Sequence, residues 1–274
     1  MPSGFPWREA AGARYGLAKM ENPGLAPRYR VILVEPRTPG NVGAVARACA
    51  CFGIQDLRLV KPACDHLGFE ATKYATGPSG DLLQSARVEP NLASAIADCT
   101  AAIAFTRRTG DDRRQNLKLT EIPALLAGSK DKIALVFGNE ETGLHQADVQ
   151  LCTQLCSIGT AREMGSLNLS HAVAIVLSWL FDRRPDESRE ENFGSGGGGS
   201  SALLGQMAGL FTHIEEFLIE IGLNRSGNPE RLMRHLRRVL QRTHLRSREV
   251  RLLRGIVSKA QVALRNDSDT LPTL

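Results

Sequence analysis

The chain has 274 residues, 42% of them hydrophobic, and carries a net charge of +5 from 34 basic and 29 acidic residues. That length holds one or two domains with a sizeable core. The six cysteines form no CxxC pair and have no His cluster beside them, which argues against a structural zinc site. The longest strongly apolar stretch, Ala172 to Phe181, is too short to span a membrane.

Residues 1–28 mix Pro, Gly, Arg and Glu with no apolar core segment, so they are expected to form a disordered tail and not a secretory leader. With cysteines read as buried and reduced, this predicts a soluble, cytoplasmic protein. Arg30 to Pro36 is a short apolar run ending in Pro and predicts a buried strand. Thr38-Pro-Gly-Asn41 reads as a loop, and Val42 to Phe52 as a small-residue helix stopped by Gly53. Asp56 to Pro62 predicts a second strand, Asn91 caps a helix running to Asp98, and Ala101 to Phe105 predicts a third strand. Lys132 to Phe137 is the clearest strand signal, followed by a helix over 141–152, a short strand over 155–158 and a long helix over 166–182. Strands alternating with helices imply an α/β domain with a parallel sheet covered on both faces, over residues 29–184. Sites in such folds lie beyond the carboxyl ends of the strands.

The segment 185–202 starts charged and ends in Gly194-Ser-Gly-Gly-Gly-Gly-Ser-Ser201, the composition of a flexible linker, whether natural or engineered. Beyond it, 203–221 is an apolar-periodic helix. Residues 231–242 form a second, with Leu232, Leu236, Val239 and Leu240 on one face. Ser247 caps a third, with Val250, Leu253, Ile256 and Val257 inward. The result is a small all-α extension over 203–265.

Charge is unevenly spread. Pro229 to Arg265 holds eleven basic residues against Glu230 and Glu249, a balance of +9, which leaves −4 for the rest of the chain. Ten of the eleven are arginines, the residue that grips phosphate bidentately and stacks on bases. Arg231, Arg234, Arg237, Arg238 and Arg242 are therefore candidate RNA contacts, with a solvated helical face as the plain alternative.

Three segments carry the chemistry, and each sits where an apolar run gives way to a helical pattern. Gly138-Asn-Glu-Glu-Thr-Gly143 has glycines at P-loop spacing, but Leu144 and His145 stand where a P-loop needs Lys and Ser/Thr, and Glu140 and Glu141 would repel phosphates. No GxGxxG follows the first strand either. This loop favours a ligand without phosphate, approached closely by backbone at Gly138. Asn41 to Arg47 sets Asn41, Gly43 and Arg47 at a helix start, where Arg47 is either a surface residue with a snorkelling stem or a clamp for phosphate or carboxylate. Ser166-Leu-Asn-Leu-Ser170 opens the long helix, and either Ser166 or Asn168 can serve as its cap.

Together the three segments resemble the motifs of the SpoU branch of the SPOUT methyltransferases: N-x-G-x-x-x-R, G-x-E-x-x-G-L and S-L-N-x-S. Arg231-Leu-Met-Arg-His-Leu-Arg-Arg238 and Leu252-Leu-Arg-Gly-Ile256 are similar to the C-terminal extension of the TrmJ-type tRNA methyltransferases. The resemblance implies an α/β domain with a C-terminal trefoil knot, one of the exceptions to the rule that chains do not knot. It implies S-adenosyl-L-methionine as methyl donor with no metal, and a homodimer with the active site at the subunit interface. The implied reaction is methyl transfer to a ribose 2′-hydroxyl of tRNA, at the pyrimidine nucleotide in position 32 of the anticodon loop. Ribosomal RNA is the alternative substrate, and a catalytically silent RNA-binding module the alternative class. By the same resemblance Thr106, Arg107, Arg108, Gly138, Ile158, Gly165, Ser166 and Leu167 surround the cofactor, and Arg47, Asn41, Glu140 and Asn168 are catalytic. Two roles stay open for Arg47: a transiently deprotonated base, or a cation that fixes a phosphate and stabilises developing alkoxide.

Overall fold

A computed structural model describes residues 25, 28–106, 116–122, 131–161, 166–183, 200–223, 229–243 and 245–269. The N-terminal tail up to residue 24 and most of the predicted linker, 184–199, lie outside the described residues. Seven strands form one sheet: β1 Tyr29–Val34, β2 Leu57–Val60, β3 Arg87–Glu89, β4 Ala101–Phe105, β5 Asn116–Lys118, β6 Ile133–Phe137 and β7 Gln154–Ser157. Their order is β3-β2-β1-β6-β4-β7-β5, and every neighbouring pair is parallel. The trefoil knot depends on the course of segments that include 107–115, 123–130 and 162–165, which lie outside the described residues.

Side chains alternate across a strand, so a strand buried on both faces reads as an unbroken apolar run. In β1, Val31 and Leu33 enter one core while Ile32 and Val34 enter the other. The first core is closed by α1 (Pro39–Cys51), α2 (Phe69–Tyr74), α3 (Pro78–Gln84) and α6 (Leu169–Asp182). The second is closed by α4 (Leu92–Ile96) and α5 (Gln146–Leu151).

Several helix ends differ from their predicted positions. Helix α1 begins at Pro39, so Pro39-Gly-Asn41 is its first turn and not a loop. Proline suits that place because its fixed φ matches a helix and the N–H it lacks has no partner there. At its other end Gly53 takes φ 74°, and its N–H with that of Ile54 closes on Ala50 and Cys49 carbonyls, the αL stop expected of glycine. Residues 141–145 are not helical. The Asn139 side-chain oxygen accepts from the Glu141 and Thr142 N–H groups and holds them in a turn, and α5 starts only at Gln146. Strands β3 and β5 and helices α2 and α3 have no counterpart in the sequence reading; the two strands are three residues each, and neither is buried.

The helical unit consists of α7 (Leu204–Glu220), α8 (Pro229–Arg242) and α9 (Ser247–Asp269) around Met207, Leu210, Phe211, Met233 and Val250. It begins before residue 203 and runs beyond 265. Ser201 bridges to Arg246, and Ala202 N–H donates to the Leu245 carbonyl at 2.8 Å. Two predicted core positions point outward: Val239 is 54% and Ile256 57% exposed. Met233 takes the central place in α8, because α8 meets α7 along a stripe turned from the expected one. Ser247 is the first residue of α9, and its hydroxyl donates to the Ser201 carbonyl, while Glu249 accepts from the Arg246 N–H. The unit is tied to the sheet domain by Leu204 and Gly205, whose N–H groups donate to the Cys99 and Ala97 carbonyls at 2.8 and 3.0 Å.

Beside that anchor, at the amino ends of the strands, lies a charge network around the buried Arg30. Arg30 is fully buried; its Nε donates to Asp56 at 2.8 Å, its Nη2 to Asp98 at 2.8 Å and its Nη1 to the Ala95 carbonyl at 2.7 Å. Arg58 and Lys132 share the same carboxylates. Arg30 holds the Asp98 carboxyl well below its ordinary range; at Asp56 burial pushes upward, and Lys132 and Arg30 outweigh it. Removing Arg30 takes from Asp56 and Asp98 their one fully buried partner and leaves only Arg58 and Lys132 beside them. Arg30→Met is expected to cost about 3 kcal/mol of unfolding free energy at pH 7, measured by urea denaturation. Both aspartates have depressed folded pKa values, so their contribution is complete above the unfolded value of about 3.9 and is lost as pH falls below it. The gap between wild type and Arg30→Met therefore narrows at about pH 3; an unchanged gap would contradict this.

Candidate active site

All three sequence segments meet at the carboxyl edge of the sheet, as parallel α/β architecture leads one to expect. A cavity of about 300 Å³ opens there, lined by Phe105, Thr106, Phe137 to Gly143, Ile158, Thr160, Ser166, Leu167, Leu169 and Ala172. Its floor is a stacked aromatic pair, Phe105 and Phe137, with ring centroids 4.7 Å apart and planes at 8°. These rings end adjacent strands β4 and β6 in register, so sheet pairing alone brings them together.

Of the predicted cofactor contacts, Thr106, Gly138, Ile158, Ser166 and Leu167 line this cavity. Arg107, Arg108 and Gly165 lie outside the described residues. The glycine at 138 has a different cause from the one expected. A Cβ there would collide with the Gly143 and Leu144 backbone, so the residue is required by the loop folding back on itself. Gly43 is likewise a packing residue, since a Cβ would strike the Ala71 carbonyl of α2. Neither glycine needs a ligand to explain it.

Three of the four predicted catalytic side chains form one hydrogen-bonded relay. The Glu140 carboxylate accepts from the Arg37 N–H at 3.0 Å, the Thr38 N–H at 3.1 Å and Asn41 Nδ2 at 2.8 Å. Asn41 Oδ1 accepts from Asn168 Nδ2 at 2.9 Å. Asn168 Oδ1 in turn accepts from the Ser170 N–H at 2.9 Å and the Ser170 hydroxyl at 2.7 Å, which makes Asn168, and not Ser166, the cap of α6. Ser166 is left exposed at the cavity. Glu140 does not serve the helix that follows it; it fastens the turn entering α1. Burial pushes its carboxyl up, and the donors Asn41, Arg37 N–H and Thr38 N–H outweigh that and hold it below the ordinary glutamate value. Glu140 is therefore an ionised acceptor at neutral pH and a poor base.

Arg47 stands outside this relay, exposed on α1 two turns beyond Gly40. Among the arginines of α8, Arg231 and Arg234 are exposed, while Arg237 lies 5.1 Å over the Phe211 ring and 3.8 Å from Glu215. Arg237 is thus partly spent on holding α8 to α7. Arg238 is half-buried, and the Arg242 side chain lies outside the described residues. Lining residues outside the expected contacts include Phe105, Phe137, Asn139 and Thr160. The aromatic pair had a signal in that two strands end in Phe; Asn139, 5% exposed and bonded to the turn it builds, had none.

The fold and site define an α/β protein with a ligand cavity beyond its strand ends, joined to a basic helical unit. Residues 28–178 match the SpoU rRNA Methylase family, and residues 205–269 match the C-terminal domain of the tRNA methyltransferase TrmJ. The chain belongs to the SpoU methylase family, in its TrmJ-type branch. It is 32% identical over 253 residues to the tRNA (cytidine/uridine/adenosine-2′-O-)-methyltransferase TrmJ of Pseudomonas aeruginosa, covering 87% of this chain and 95% of that protein. It is 30% identical over 244 residues to the tRNA (cytidine/uridine-2′-O-)-methyltransferase TrmJ of Citrobacter koseri, covering 85% and 96%. The crystal structure of TrmJ from Z. mobilis ZM4 superposes with a TM-score of 0.71 at 28% identity, over 85% of this chain and 98% of that one.

Proposed function

We propose that this protein transfers a methyl group from S-adenosyl-L-methionine to a ribose 2′-hydroxyl of tRNA, at the pyrimidine nucleotide in position 32 of the anticodon loop. The observation that carries this reading is the Glu140–Asn41–Asn168 relay at a cavity lined by segments from three strand ends. The likeness to TrmJ over both the sheet domain and the helical unit favours tRNA over ribosomal RNA. A chain that keeps a connected relay and a formed cavity is a poor fit to a silent binding module.

The cavity suits the cofactor. The Phe105–Phe137 pair and Ile158 offer apolar surface, and Thr106, Thr160 and the 138–143 turn offer polar groups. When bound, S-adenosyl-L-methionine supplies a methyl already activated on a sulfonium. The remaining work falls to the chain: hold the acceptor ribose in line and stabilise the charge that develops on its oxygen. The relay sets the α1 entry against the α6 start, which fixes the rim over which the ribose must enter. Arg47, exposed and outside the cavity lining, serves as the cation for substrate phosphate in a site completed by a second copy. The homodimer, cytoplasmic location and knotted threading belong to the same reading.

The test is to map 2′-O-methylation in tRNA from a strain lacking the protein, and to restore it with the purified chain. Loss and recovery of a single methyl at position 32 is expected. An intact methylation pattern in the deletion strain would end the proposal.

A further inference from the structure

The described residues of the sheet domain leave six large hydrophobic side chains exposed, and three of them, Leu67, Phe69 and Tyr74, fall within one short stretch around α2. Phe69 is 82% exposed and Tyr74 47%. An aromatic ring that far into solvent gains nothing from the fold and is unusual on a free surface. Two charged residues, Glu70 and Lys73, interrupt the stretch, so it is a set of separate rings and not a continuous apolar face. Lys73 Nζ lies 5.8 Å from the centre of the Tyr74 ring, and one helical turn from Phe69.

The position of these rings relative to the site is fixed by packing. The Tyr74 ring lies against Gly40, close enough that a Cβ on Gly40 would come within 3.0 Å of it. Gly40 is the residue before Asn41, in the first turn of α1. One turn further on, the α2 backbone at Ala71 presses on Gly43. The pairing is antiparallel, Gly40 meeting Tyr74 and Gly43 meeting Ala71. The loop leading into α2 runs by the site as well: the Ala63 N–H donates to the Pro36 carbonyl at 2.9 Å. Tyr74 thus sits beside the residue before Asn41, with Lys73 against its ring and Phe69 at the start of the same helix.

Separated aromatic faces with neighbouring cations are what unpaired nucleotides require: each base stacks on a ring while phosphates meet the cations. We propose that Phe69 and Tyr74, with Lys73, form the platform on which unpaired bases of the RNA substrate stack beside the target nucleotide. This rests on the RNA methyltransferase reading above. It adds that the sheet domain itself selects a single-stranded loop, a choice the arginines of α8 cannot make by gripping phosphates.

The test is the affinity of the full chain for an unmodified tRNA transcript, read by fluorescence anisotropy, for Phe69→Ala, Tyr74→Leu and Phe69→Trp. Phe69→Ala and Tyr74→Leu are each expected to weaken binding about tenfold, with Phe69→Trp close to wild type. Affinity for a closed RNA duplex without a loop, and for S-adenosyl-L-methionine by calorimetry, should stay unchanged. Unaltered tRNA affinity in Phe69→Ala would overturn the proposal. So would a change in molecular mass by light scattering, which would make the patch a contact between copies of the chain. A wild-type protein that methylates no RNA, yet loses loop binding when the rings are removed, would sink the methyltransferase reading and keep the platform.

Discussion

Arg47→Ala is expected to lower the rate of methyl transfer to tRNA by about 10³-fold or more, the scale of losing a group that stabilises developing charge. S-adenosyl-L-methionine affinity should change less than about threefold, because Arg47 is no part of the cavity lining and the loss is confined to the transition state. Labelled methyl incorporation and calorimetry separate the two. Arg47→Lys keeps the charge without the planar fork, so it should recover only part of the rate if phosphate is held bidentately. The substitution leaves the fold alone, since Arg47 is exposed and makes no hydrogen bond or ion pair among the described residues. Near-normal turnover in Arg47→Ala would remove this residue from the mechanism in either of its two roles.

Asn41→Ala should reduce the rate about 10²-fold, the scale of misplacing a bound group by about 1 Å. Asn41 hydrogen-bonds to both Glu140 and Asn168. Its loss separates the α1 entry from the α6 start while the two backbone donors still hold Glu140. The acid side of the activity profile should also move. Glu140 has a depressed folded pKa, so its acceptor role is present above the ordinary value of about 4.3 and is lost as pH falls through the lower folded value. Removing the Asn41 donor raises that lower value, and the acid limb of Asn41→Ala shifts to higher pH. A rate within a few-fold of wild type, with an unmoved acid limb, would show the relay to be structural only.

Much of this site was legible before any coordinates. The three segments stood out at strand-to-helix junctions, which the parallel sheet brings to one edge; Asn41, Glu140 and Asn168 within them were assigned to the site by resemblance. What could not be read was who bonds to whom. Glu140 read only as a member of its loop and, by resemblance, of the site; its carboxylate bonds to the turn entering α1, about a hundred positions away in the chain. The cap of α6 was open between Ser166 and Asn168, and the contact from Asn168 to Asn41 selects the second. The glycines carry a second cause that the sequence does not show. Gly138, read as a place where backbone approaches a ligand, does line the cavity, but it and Gly43 are each required where one backbone crosses another. A missing Cβ reports only that something is close, and sequence does not say whether that something is ligand or chain.

The composition and apolar patterning of this chain determine by themselves a parallel α/β domain followed by a basic helical unit, because strand and helix periods are local properties. The tertiary structure alone decides the relay through Asn41, the stacked floor of Phe105 and Phe137, the buried Arg30 network and the placement of Phe69 and Tyr74 beside the site. Each depends on contacts between residues far apart in sequence, whose partners are chosen by strand order and helix packing. The same holds for Val239 and Ile256: their helices were evident from the pattern, but which stripe turns inward was set by how α8 and α9 pack around the shared core with α7.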